Sequence, residues 1–333
     1  MTELDPQRRT VLAWCTLPAL LVAGCAGGAA VKPQDDLGAL LKAGQELYAA
    51  KRFDEAIAKF RELIARDGNQ WQAHLWLARA FIGKVAWSDA IAAARRAHEL
   101  SASGQDVVAV FAEALFGGGA DALRTSNFKT AIGHFTDYIK VQPSNARAYL
   151  NVGRAFIGDK RFGDALSAIL KGLTVAAGPE RAELLKSLQE GGLQALAQGE
   201  FAGAIGFLRE YLKLDPANIR AYIDLAKSFI GNNDYASALA TFVQGLGQGG
   251  QRNEVLQAMA EAGKQALASG KAREAVGFLR EYVRQDSGNL NAYLDLAKSY
   301  WQSGERLNAL DAFRRVLQIN PRQEEALRFL RGG

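Results

Sequence analysis

From residue 37 onward, apolar and small residues return in the same order about every 34 positions. Phe53-Asp54-Glu55-Ala56-Ile57 reappears as Trp87-Ser88-Asp89-Ala90-Ile91, Phe128-Lys129-Thr130-Ala131-Ile132 and Phe162-Gly163-Asp164-Ala165-Leu166. It continues as Phe201-Ala202-Gly203-Ala204-Ile205, Tyr235-Ala236-Ser237-Ala238-Leu239, Ala272-Arg273-Glu274-Ala275-Val276 and Arg306-Leu307-Asn308-Ala309-Leu310. Eight blocks of 34 residues result: 37–70, 71–104, 112–145, 146–179, 185–218, 219–252, 256–289 and 290–323. Spacers of 7, 5 and 3 residues follow the second, fourth and sixth blocks. Each block holds two stretches of helical apolar period, broken by a short polar turn such as Ala50-Lys51-Arg52, and so predicts two helices. A single pair cannot cover its own apolar face, whereas tandem copies cover one another's.

Two positions within the blocks are reserved for small residues. One lies midway along the first helix, at Gly44, Ala78, Gly119, Gly153, Gly192, Ala226, Gly263 and Ala297. The other lies early in the second, at Ala56, Ala90, Ala131, Ala165, Ala204, Ala238, Ala275 and Ala309. Three blocks close on a proline, Pro143, Pro216 and Pro321, where the others carry Gly68, Ala102, Ala177, Gly250 and Ser287. This pattern resembles the tetratricopeptide repeat. The resemblance implies an all-α fold, a right-handed superhelix (α-solenoid) of about eight helix-turn-helix repeats. It also implies a protein-binding role, with the first helix of each repeat lining a concave groove. Residues 324–333 read as a capping helix, with Arg328 and Arg331 on its polar side.

A longer period overlies the short one. Ala221-Tyr222-Ile223-Asp224-Leu225-Ala226-Lys227-Ser228 recurs 71 residues on as Ala292-Tyr293-Leu294-Asp295-Leu296-Ala297-Lys298-Ser299. The array therefore reads as four two-repeat units, with a change of helix length or curvature expected at the spacers.

Helical spacing picks out the groove-facing residues of the even blocks. The ninth position is Arg79, Arg154, Lys227 and Lys298, and the second includes Arg147 and Arg220. Asn151, Asp224 and Asp295 occupy the sixth position, and Trp301 the twelfth. Stacked, these residues would form a basic column suited to an extended or helical segment with acidic groups. The same residues also suit an ordinary solvated helix face, with Asp224–Lys227 and Asp295–Lys298 neutralising each other at i,i+3. Gly117-Gly118-Gly119 reads either as a hinge or as a site of close packing.

The leading segment has a different character. Arg8 and Arg9 precede an apolar run from Val11 to Ala23, which ends in Leu21-Val22-Ala23-Gly24-Cys25. Its length fits a signal-peptide core and falls short of a membrane span. The run resembles a bacterial lipoprotein signal, which implies cleavage before Cys25 and acylation of its thiol. Residues 1–24 would then be the signal peptide and 25–36 a lipidated cysteine with a flexible tether. Ala26 in place of aspartate implies the periplasmic face of the outer membrane. An ordinary secretory leader, with no role for Cys25, is the other reading.

Composition narrows the chemistry. The 333 residues carry a net charge of +5 without a long run of like charge, and there are only 2 cysteines and 3 histidines. No phosphate-binding loop, dinucleotide fingerprint or paired-histidine metal motif occurs. His134 and Asp137 read as a surface pair. The expectation is a non-enzymatic scaffold without a cofactor beyond the lipid on Cys25, binding envelope proteins but no nucleic acid. Such lipoproteins resemble accessories of secretion, pilus or export machines. A binder of cell-wall glycan or exported polysaccharide is the alternative, with Trp71, Trp76, Trp87 and Trp301 as its stacking surfaces.

Overall fold

The small–large pattern of the blocks dictates how the helices pair. In the computed structural model, which describes residues 33–332, those residues form 17 α-helices and no strand. They are α1 (Pro33–Ala49), α2 (Phe53–Arg66), α3 (Trp71–Gly83), α4 (Trp87–Leu100), α5 (Gln105–Arg124) and α6 (Phe128–Val141). Then come α7 (Ala146–Gly158), α8 (Phe162–Val175), α9 (Gly178–Ala197), α10 (Phe201–Leu214), α11 (Ile219–Gly231) and α12 (Tyr235–Gly247). The chain ends with α13 (Arg252–Ala268), α14 (Ala272–Gln285), α15 (Leu290–Ser303), α16 (Arg306–Ile319) and α17 (Glu324–Gly332).

Each odd helix packs on the even helix that follows, because a small residue on the first leaves room for a large one on the second. A Cβ on Gly119 would lie 3.0 Å from the Phe135 ring, and one on Gly263 would lie 2.7 Å from Leu279. Gly44 meets Phe60 in the same way. Phe60, Phe135, Phe207, Phe242, Phe278 and Phe313 are fully buried. At roughly 1.5–3 kcal/mol per buried large side chain, these rings are principal contributors to the core.

Successive pairs then stack. Odd helices α1 to α15 also pack each on the next odd one, and form the inner layer, while fewer even helices touch one another. The buried apolar residues form one cluster from Ala56 to Ala148 and another from Ala146 to Ala326. A small cluster that includes Phe135 and Val152 lies between them.

The spacers are turns of helix. They fall in the first turns of α5 and α9, each 20 residues long, and of α13, with 17, against 13 or 14 in most other helices. Phe111, Leu184 and Val255, the last residue of each spacer, are buried. Helix also reaches back to Pro33, so residues 33–36, read above as tether, are helical and Asp36 pairs with Arg66. Cys25 and the rest of the leader lie outside the described residues.

The turn inside each pair places its middle residue at positive φ. Glycine occupies it at Gly199, Gly270 and Gly304, but Lys51, Val85, Ser126, Lys160 and Asn233 take the same conformation. At three junctions an asparagine ties one pair to the next. Asn145, Asn218 and Asn289 each accept the N–H three residues on, which caps the following helix. Each also donates from Nδ2 to a tyrosine Oη of the preceding helix, Tyr138 at 2.7 Å and Tyr211 and Tyr282 at 2.8 Å.

Candidate functional site

Arg220, Asp224 and Lys227 sit at spacings of four and three, so they share one face of α11. The floor below that face is Ile223, Ile230 and Phe242, and the opposite wall is α13, through Glu254, Gln257, Ala258, Glu261, Ala262 and Gln265. The groove between the walls encloses about 660 Å³. Asp224 is half-buried there, and burial raises its carboxyl pKa above the ordinary range, with Lys227 and Arg220 pulling it back. Its backbone carbonyl accepts from the buried Ser228 hydroxyl at 2.7 Å.

The remaining predicted groove residues are not equivalent. Arg79 lies 3.7 Å from Asp106 of α5, with its guanidinium 4.5 Å above the Trp76 ring. Lys298 is held by Glu325 of α17 at 2.9 Å, and Trp301 is covered by Phe329 at 5.2 Å and by Arg306 at 3.6 Å. Burial raises the Asp295 pKa, against the pull of Lys298 and Lys264. Arg147 and Arg154 are exposed on α7, with Asn151 half-buried between them. The basic column is thus engaged at both ends by neighbouring carboxylates. Among the described residues, neither Asp224–Lys227 nor Asp295–Lys298 closes as a direct ion pair.

Sequence reasoning missed the α13 wall. Glu254 and Glu261 lie two turns apart, on the side of α13 away from the buried Leu256, Met259 and Gly263. That phase was readable from the apolar period, but attention to the even blocks alone passed over α13, the first helix of the seventh block. His134 also differs from expectation: Asp137 pairs with Lys140 at 2.8 Å and Arg95 at 3.2 Å, while His134 packs near Gly118 and burial lowers its pKa. The three glycines are packing positions: Gly117 lies beneath Trp87, and a Cβ on Gly118 would lie 2.8 Å from Ile91. Trp87 covers Gly117 and Gly118, with its Nε1 buried and without a hydrogen-bond partner among the described residues.

Profiles of the tetratricopeptide repeat match residues 41–104 and 117–182, and again 195–262 and 266–331, well over half of the chain. The chain belongs to the tetratricopeptide repeat family. Its fold is the tetratricopeptide superhelix, and proteins built from this repeat generally mediate protein–protein interaction. No curated protein matches the sequence.

Several solved structures are similar at low identity. The P58(IPK) TPR domain is 16% identical over 89% of this chain and 99% of that one, with a TM-score of 0.27. MamA from Desulfovibrio magneticus RS-1 is 17% identical over 55% of this chain and 97% of that one, at 0.35. A chain of Naa15/Naa10 bound to HypK-THB is 11% identical over 86% of this chain and 59% of that one, at 0.39.

Among the described residues, no helix of this tetratricopeptide array is long and apolar enough to cross a membrane.

Proposed function

We propose that the protein is a non-enzymatic scaffold, anchored by lipid on Cys25 to the periplasmic face of the outer membrane. It holds segments of envelope proteins between α11 and α13. The observation that carries this reading is the groove itself, with charged walls of Arg220, Lys227, Glu254 and Glu261 over an apolar floor. An apolar floor supplies contact area, while charged rims select a partner and set its register. The anchor would confine the array to a surface and raise the effective concentration of partners there. The lipid reading rests on Leu21-Val22-Ala23-Gly24-Cys25. Assistance to a secretion, pilus or export assembly is the role that fits a scaffold so placed.

The glycan alternative is weaker on this geometry. Trp76 already packs with Tyr48, Phe60 and Arg79, and Trp301 with Phe329 and Arg306, so a sugar would have to displace a guanidinium from either ring.

In-cell photocrosslinking from Gln257 and Gln265 tests the scaffold. Crosslinks to envelope proteins are expected, and these should vanish with Lys227→Glu while helicity is kept. Crosslinks only from outer-layer positions such as Val243 would move the site elsewhere. Cys25→Ser should abolish acyl labelling and release the protein from membranes; unchanged retention would refute the anchor.

A further inference from the structure

This inference rests on the α11–α13 groove being the partner site, and it specifies what enters. The groove has a counterpart 71 residues later: Asp224, Lys227, Phe242 and Glu254 recur as Asp295, Lys298, Phe313 and Glu325. Among the positions that differ, Ile230 becomes Trp301 and Ala258 becomes Phe329, while Arg220 and Glu261 become Asn291 and Gly332. In the last unit Phe329 stacks on Phe313 with ring centroids 4.6 Å apart and meets Trp301 edge-on. With Ala258 and Ile230 at those positions, the earlier unit leaves the corresponding space open. The earlier unit thus lacks, at that place in its groove, the aromatic side chain that Phe329 supplies in the later one.

The walls add a second constraint. Arg220 and Lys227 are seven residues apart on one face of α11, and Glu254 and Glu261 are seven apart on one face of α13. Among the described residues, none of the four takes part in an ion pair within 4.0 Å. One wall is therefore chiefly basic and the other acidic, relieved only by half-buried Asp224.

We infer that the groove seats an amphipathic helix of a protein partner, with an aromatic residue opposite Ala258, carboxylates along α11 and Lys or Arg along α13. The paired walls also fix the direction in which that helix runs. Turning it end for end, apolar side down, exchanges its flanks and sets like charge against like.

Short helical peptides test this on the full chain. Each carries phenylalanine on its apolar face and a nitroxide at its N-terminus. One has Glu on one flank and Lys on the other; a second exchanges the flanks; two controls carry Glu on both or Lys on both. The split-flank peptides should bind at least tenfold tighter than either control. Exchanging the flanks should preserve affinity but move the paramagnetic broadening from one end of α11 to the other. Ala258→Phe should weaken binding at least tenfold with helicity intact. Should that variant fail to fold, the combined change Arg220→Glu, Lys227→Glu, Glu254→Lys and Glu261→Lys should reverse the direction of both split-flank peptides.

Equal affinity for the controls, broadening at the same end for both split-flank peptides, unweakened binding to a folded Ala258→Phe, or no binding at all would overturn the inference. Groove crosslinks to an envelope protein combined with any of those results would leave the scaffold reading standing and remove this one alone.

Discussion

Lys298 and Glu325 meet at 2.9 Å and join α15 to the terminal helix α17, whose Phe329 stacks on Phe313. The ion pair is partly exposed, so Glu325→Gln should cost less than about 1 kcal/mol in urea unfolding. Phe329→Ala removes the ring that closes the last open face, and should cost about 2 kcal/mol. Amide exchange should then accelerate first in α17 and α15. Equal effects of the two substitutions would mean that charge, rather than ring packing, holds the cap.

Gly44 and Gly133 are both helical glycines with opposite surroundings. Gly44 faces the Phe60 ring, whereas a Cβ on Gly133 would meet nothing within 4 Å. Gly44→Ala should therefore destabilise by about 1–3 kcal/mol through overpacking. Gly133→Ala should stabilise by up to about 1 kcal/mol, through helix propensity. Thermal melts of the two variants separate these effects by sign.

Val85 stands at φ 59° with its side chain exposed, a costly conformation for a β-branched residue. Val85→Gly should raise stability by about 1 kcal/mol. A loss of stability would show that the exposed isopropyl group makes a contact worth more than the backbone strain.

Asn218 serves two helices at once, donating to Tyr211 and capping α11. Asn218→Ala should cost about 1–2 kcal/mol. In a double-mutant cycle with Tyr211→Phe, the two losses should not add, because one hydrogen bond is common to both.

Burial raises the Asp224 carboxyl pKa above its unfolded value, so folding favours the protonated form. The stability from this group is fully present below the unfolded carboxylate pKa and is lost as pH rises through the folded one. Asp224→Asn should consequently raise the melting temperature at neutral pH, with the gain shrinking in acid. A gain that stayed constant with pH would point to a steric cause.

The repeat and its pairing were legible because they depend on local period and residue size: Gly119 and Ala131 mark the small positions of α5 and α6 without coordinates. Several junction features were not. The clasp of Asn218 on Tyr211 joins two elements through a hydrogen bond that no apolar period reports, and the change of helix length expected at the spacers did not reveal that Phe111, Leu184 and Val255 are buried. The groove was half legible. Asp224 and Lys227 announced themselves by alignment with the later copy and Arg220 by its spacing on the same helix face, but the spacing of helices that brings Glu254 and Glu261 opposite them is a property of stacking.

In the principal packing contacts, each helix touches only the next one or two along the chain. Elastic compliance in such a body accumulates joint by joint, as in a coiled spring. A guest laid across several turns would act as a splint, stiffening a stretch of the spiral far longer than its own footprint.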